Sequence, residues 1–238
     1  MPQVKIGPNF FSGAFRDYSD WHWAWVREIL QNCQDAPLCD NIKVDFHLDY
    51  ETGNTIVEVE NNGLPMSEDI LVNKFLSLGE SGKRFEGNSV GGFGKAKELL
   101  VFCHLDWKLE TGDLVVVGNG GEYELTKSPD EFLGGTKTTV TMKGNQTNYL
   151  TNQFIKYASL ANWKGKLVVN TVELDTNLAA GKHRKDFDWG SVYTSKSKED
   201  NLIVCRIHGI PMFTNYTSHD ETIIIELKNS DSLTANRD

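Results

Sequence analysis

Along IKVDFHL, residues 42 to 48, apolar and polar positions alternate strictly, with Ile42, Val44, Phe46 and Leu48 on one face, which predicts a half-buried strand. A second alternating run, TIVEVEN, follows across a turn at Thr52-Gly53-Asn54. There Val57 and Val59 point inward, and the period of two carries Asn61 to the same interior side. Upstream the period changes. In WVREILQNCQDAP, residues 25 to 37, Val26, Ile29, Leu30 and Cys33 form one face of a helix that runs from an N-cap at about Asp20 to Pro37. Glu28, Asn32 and Asp35 stack on the opposite stripe, four and then three residues apart. This stripe is either the solvated side of an amphipathic helix or a polar set that needs partners. Trp21, Trp23 and Trp25 crowd the upstream end and offer packing on more than one side.

Further on, SEDILVNKFLSL reads as a helix capped at Ser67, with Ile70, Leu71 and Phe75 or Leu78 on its inner face. A polar, Gly-rich segment, GESGKRFEGNSVGGFG, separates it from a helix at KAKELLVFC. Strands are then expected at WKLET, DLVVVG, EYELT and KTTVTM, a helix at TNYLTNQFIKYASLAN, and strands at KLVVN, LIVCRIHG and ETIIIEL. Helices interleaved with mostly antiparallel strands predict an α+β fold, a two-layer sandwich with a mixed sheet covered by helices on one face. The expected organisation is an aromatic arm over residues 1–19, a main domain over 20–170 and a β-rich extension over 171–238. Phe10, Phe11 and Phe15 give the arm side chains with which to dock.

A formal net charge of -9 argues against nucleic acid or an anionic membrane as an obvious partner, beyond a local patch such as GKHRK around Lys182, Arg184 and Lys185. No apolar run approaches the roughly 20 residues of a membrane-spanning helix, and no signal peptide opens the chain. The 4 cysteines lack zinc-ribbon or CxxC spacing and read as reduced core residues of a cytoplasmic protein. The scattered histidines make no transition-metal set.

Two glycine clusters compete for phosphate chemistry. GNGG at Gly118 to Gly121 lies between two strands and reads as a hairpin turn, and Walker A spacing occurs nowhere. GGFGKAKELL, from Gly91, places glycines just ahead of a helix, where free backbone N–H groups can face an anion or simply form a loop.

WVREILQNCQDA resembles the ExxxNxxDA box of the GHKL ATPase superfamily, which includes gyrase B, the ninety-kilodalton heat-shock chaperones, histidine-kinase catalytic domains, MutL and the MORC proteins. ENNGLPMS is similar to its adenine-binding DxGxGM box, VGGFGKA to its phosphate-binding box and GGTKTTVTM to its later Gly-Thr strand, all in family order. The match spans residues 20 to 170 and implies the Bergerat ATP-binding fold, ATP and Mg²⁺ as ligands, and ATPase activity.

By that resemblance Glu28 is the general base that activates water, Asn32 a ligand of Mg²⁺, and Asp35 a holder of backbone or water beside the adenine. Asn61, Gly63 and Met66 stand in the adenine box, and Thr136 reaches the adenine-side water network. Residues 79–94 correspond to the ATP lid, with Gly91, Gly92, Phe93 and Gly94 at the phosphates. Lys83 and Lys95 are either phosphate contacts or solvated lid lysines. The chain departs from the family pattern at Asn61, where most members have Asp, at Pro65 in place of a glycine, and at Ala96 in place of a third phosphate-loop glycine. The implied working mode is a switch in which ATP closes the lid, drives homodimerisation through the aromatic arm, and is released as ADP, acting on a client or partner protein. A nucleotide-sensing scaffold that does not hydrolyse is the alternative. A histidine-kinase domain is disfavoured, since the residues before Asp20 leave no room for a phospho-acceptor hairpin.

Overall fold

The structure, a computed structural model, describes residues 10–77, 96–178, 181, 183–195 and 201–229. It is a mixed α/β fold built on two mixed sheets with few helices. The first sheet contains six strands in the order β3-β4-β2-β1-β5-β6. These are β1 (Asn41–Leu48), β2 (Thr55–Asn61), β3 (Asp106–Asn119), β4 (Glu122–Met142), β5 (Lys166–Val169) and β6 (Val172–Leu174). Only β1 and β5 run parallel, because α3 (Thr147–Leu160) carries the chain back across one face between β4 and β5. The expected alternations hold: Ile42, Val44, Val57, Val59, Val140 and Met142 are buried. The other face carries charge pairs typical of a wet surface, such as Lys137–Glu58 at 3.1 Å and Lys108–Glu110 at 2.8 Å.

Two helices cover the apolar face, α1 (Trp21–Gln34) lying on β2 and α3 on β1, with the two helices in contact. On α3, Leu150, Phe154, Tyr157 and Ala158 recur at helical spacing and are buried. Where four short strands were expected between residues 107 and 142, the chain makes the single long hairpin β3–β4. Gly112, at φ +56, is absorbed as a register shift instead of ending a strand. The GNGG stretch is the hairpin turn, and the Trp107 indole N–H donates to the Gly120 carbonyl at 3.0 Å across it.

The helix expected from Ser67 is shorter and wider than its pattern suggested. Ser67 does cap it, accepting from the Ile70 N–H at 3.3 Å, but α2 (Glu68–Ile70) gives way at once to a π turn, Leu71–Phe75. The Leu76 N–H donates to the Leu71 carbonyl at 2.9 Å, which brings Leu71 and Leu76 inward together and leaves Ile70 exposed. A second π turn, Glu98–Phe102, buries four consecutive apolar residues, Leu99 to Phe102.

The described part of the aromatic arm, residues 10–19, packs within its own chain through Phe11 and Phe15, while Phe10 is exposed. A 3₁₀ helix, Phe11–Asp17, buries Phe11 against Phe102 at a ring-centroid distance of 5.1 Å, while Phe15 packs on Trp21 at 4.7 Å.

The second sheet has five strands in the order β10-β9-β11-β8-β7, with β9 and β11 parallel. They are β7 (Arg184–Phe187), β8 (Gly190–Ser195), β9 (Leu202–Ile207), β10 (Ile210–Tyr216) and β11 (Thr222–Leu227). The first sheet therefore continues past residue 170 through β6, and the second begins at Arg184. One continuous apolar core joins both sheets, with Val204, Ile207, Met212 and Ile224 packed into the same cluster as Leu30 and Phe154.

Candidate functional site

The side chain of Asp20 caps α1 by accepting from the Trp23 N–H at 3.0 Å. The helix is enclosed on all sides along its middle, since every residue from Trp23 to Gln31 is buried. The polar stripe is therefore no solvated face at Glu28. Burying this carboxylate requires a partner, and Arg27, itself 1% exposed, supplies one at 3.3 Å from Nη2 to Oε1. The Arg27 Nη1 donates to the Met212 carbonyl of β10 at 3.0 Å, so the second sheet helps to set the guanidinium that holds Glu28. One turn on, Asn32 is half-buried, as is Asp35 at the helix end.

At that end α1 meets the seam between β2 and β4. Asn61 and Thr136 are direct partners across the seam. The Asn61 Nδ2 donates to Cys33 Sγ at 3.7 Å and its Oδ1 accepts from the Gly63 N–H at 3.0 Å. Two glycines make this approach possible. A Cβ on Gly63 would lie 2.7 Å from the Ala36 Cβ, and one on Gly135, at φ +95, would lie 2.4 Å from the Asn61 carbonyl oxygen. The Leu64 N–H reaches back to the Pro37 carbonyl at 2.8 Å.

Thr111 ties the opposite side. Its oxygen accepts from the Met66 N–H at 2.8 Å, and its own proton goes to the Gly135 carbonyl at 3.1 Å. The contact of 3.1 Å between the Thr111 and Thr136 hydroxyls must then be donated by Thr136. Toward any water beside it, Thr136 is left as an acceptor.

Of the residues singled out in the sequence, Asn61, Gly63, Met66 and Thr136 thus share one hydrogen-bonded seam. Glu28, Asn32 and Asp35 lie on the helix whose last turn abuts it through Cys33. Lys83, Gly91, Gly92, Phe93, Gly94 and Lys95 lie outside the described residues. Just after them, the buried Lys97 amine donates to the Lys74 carbonyl at 2.7 Å and to the Ser77 carbonyl. Thr111, Cys33 and Arg27 were missed in the sequence. Period two from Trp107 and Leu109 places Thr111 inward and would have found it, whereas nothing local marks the other two.

Among the described residues no group of three or more His, Cys, Asp or Glu could hold a metal ion. A magnesium ion needs no such group, since it takes hard oxygen ligands and is held largely by phosphate and water. The Asn32 carboxamide, half-buried and one helical turn from Glu28, fits that donor set. An open groove of about 410 Å³ between Trp163–Gly165 and Glu173–Asn177 is lined by none of the candidate residues. No helix among the described residues is long and apolar enough to cross a membrane. Compared with known proteins, the sequence matches no family model and no curated protein.

Proposed function

We propose that the chain is a GHKL-type ATPase on a Bergerat fold, binding Mg²⁺·ATP with its adenine at the Asn61–Thr136 seam and its phosphates toward the Glu28–Asn32 stripe. One observation carries this reading. Segments far apart in sequence, 33–37, 61–66, 111 and 135–136, converge into one polar seam whose close backbone approach two glycines permit, directly beside an enclosed helix that buries a carboxylate. Within them, Asp35, Asn61, Gly63, Met66 and Thr136 are the residues that the family resemblance nominates for adenine and water.

In the proposed reaction Asn61 holds the base, Thr136 and Asp35 order water beside it, and Gly63 and Gly135 keep the backbone close. Asn32 would hold Mg²⁺ through its carboxamide oxygen, and the ion would supply charge neutralisation on the triphosphate. Glu28 orients water and takes its proton as the oxygen attacks the γ-phosphate and the bond from that phosphorus to the β–γ bridging oxygen breaks, leaving ADP and inorganic phosphate. Positioned base catalysis of this kind is worth about 10²- to 10⁴-fold. Replacing Glu28 by Ala is therefore expected to cut phosphate release by that factor while ATP affinity stays within about threefold. Equal rates in wild type and E28A would remove Glu28 from the chemistry.

A second reading, a sensor that binds nucleotide and releases it unhydrolysed, is favoured by the Arg27 contact. One oxygen of the carboxylate that would orient water is already engaged by a guanidinium. Phosphate release in the wild type separates the two.

A further inference from the structure

Arg27 and Glu28 are neighbours in sequence, and neighbours on a helix point about 100° apart and do not face each other. The positions that do face Glu28 along α1 are Ala24, Trp25, Gln31 and Asn32, and none carries a charge. The helix periodicity alone therefore offers this carboxylate no cation, yet the Arg27 Nη2 reaches its Oε1 at 3.3 Å. What bends the guanidinium round comes from the second sheet. In β10, Pro211 pairs with Arg206 and Phe213 with Cys205, so Met212 is an extra residue with no partner in the ladder. Its carbonyl accepts from the Arg27 Nη1 at 3.0 Å instead, in a fully buried place. Bulges of this kind recur beside active sites, where they re-aim a group.

Resting on the ATPase reading above, we infer that Arg27 is a positioning residue for Glu28 and that the β10 bulge sets it. A guanidinium is a planar fork whose N–H groups point in fixed directions, so its bond to the Met212 carbonyl decides where Nη2 points. Holding Oε1 there fixes the rotation of the carboxylate, and with it the direction from which water is oriented and loses its proton. The contact that occupies one oxygen thus steers the base and does not silence it. Because β10 is an edge strand, the general base is steered from the rim of the second sheet.

The test is a double-mutant cycle in which the rate of ATP hydrolysis and the affinity for ATP are measured for each variant. Misplacing a reacting group by about 1 Å can cost on the order of 10²-fold in rate. R27M is expected to lower kcat by about that factor while Kd for ATP stays within about threefold. R27K keeps the charge but lacks the planar fork, and is expected to lose about tenfold. A residue that acts only through Glu28 has nothing left to steer in E28A, so R27M/E28A should hydrolyse at the E28A rate. Should R27M not fold around a buried carboxylate, R27K and R27K/E28A carry the same cycle. Replacing Phe213 by its α-hydroxy acid turns the Met212 carbonyl into an ester carbonyl, a weaker acceptor. That change should lower kcat in the wild type and leave it unaltered in E28A. Wild-type kcat in the Arg27 variants, or a further fall when Arg27 is replaced in E28A, would overturn the positioning role and leave the ATPase reading standing. An ester that leaves kcat unchanged would remove the bulge from the proposal. A wild type that releases no phosphate would sink the hydrolytic reading and this inference together.

Discussion

Gly135 illustrates how residue chemistry constrains the site. At φ +95 any L side chain is strained, and a Cβ there would lie 2.4 Å from the Asn61 carbonyl oxygen and 2.5 Å from that of Gly63. Both penalties act together, so G135A should lower stability by about 2 kcal/mol or more, read as a shift in the urea midpoint. An unchanged midpoint would mean that the backbones do not approach so closely. His104 makes a prediction in pH. Burial pushes its imidazole down to about 4 from the usual 6.5, and Phe15 and Trp25 pack around it. The unfolded chain therefore takes up a proton that the folded chain refuses, and stability present above pH 6.5 is lost as pH falls toward 4. The loss is on the order of 3 kcal/mol, and H104L should flatten that part of the stability profile. An equally steep profile in H104L would assign the acid sensitivity elsewhere. At this scale the sequence was readable where a periodic strand dictates direction. Asn61 lies inward because Val57 and Val59 do, but its lock on Cys33 depends on how α1 crosses β2, which no local pattern encodes.

Among the elements, α1 and the aromatic arm connect sequence and site most directly. The cap and the apolar face placed the start of α1 to the residue, since those signals are local, whereas the helix ends at Gln34, short of the expected stop at Pro37. The π turns were not legible: five-residue closure is chosen by Leu71 and Leu76 finding the core together, a tertiary reward with no local signature. The long β3–β4 hairpin was split in the reading because Gly112 reads as punctuation in sequence and is used as a bulge in the fold. The arm was expected to dock through its aromatic side chains, and Phe11 is buried beside Phe102 and Gly121. F11A should accordingly destabilise the single chain by about 3–5 kcal/mol in a denaturant titration at low protein concentration. A loss that appears only at concentrations where the chain dimerises would place Phe11 between subunits. A chain beginning at Asp20 that still dimerises with a non-hydrolysable ATP analogue would show that the arm does not drive the proposed dimer.

Across the whole molecule the two sheets share a core, and Arg206 further ties the second sheet to the end of α3. Its Nε donates to Glu226 at 2.9 Å, its Nη1 to the Leu160 carbonyl at the end of α3 and to the Leu178 carbonyl, and its Nη2 to Tyr193. The other Glu226 oxygen accepts from the Gly209 N–H at 2.6 Å. Removing one member of a buried ion pair typically costs about 3–5 kcal/mol, so R206M should destabilise strongly, with part of the loss recovered in R206M/E226Q. Unfolding of R206M in two separate steps would show that the Arg206 contacts to the Leu160 and Leu178 carbonyls join otherwise independent halves. The mixed sheet and its helical cover followed from strand alternation and helix period. The second sheet was foreseen only as short strands, because its parallel β9–β11 pairing is long-range. The central claim concerns the seam where these layers meet, and calorimetric titration of wild type and G135V with Mg²⁺ and a non-hydrolysable ATP analogue tests it most directly. The account predicts one site per chain in the wild type and at least a tenfold weaker one in G135V, whereas no binding by the wild type, or equal binding by both, would contradict it.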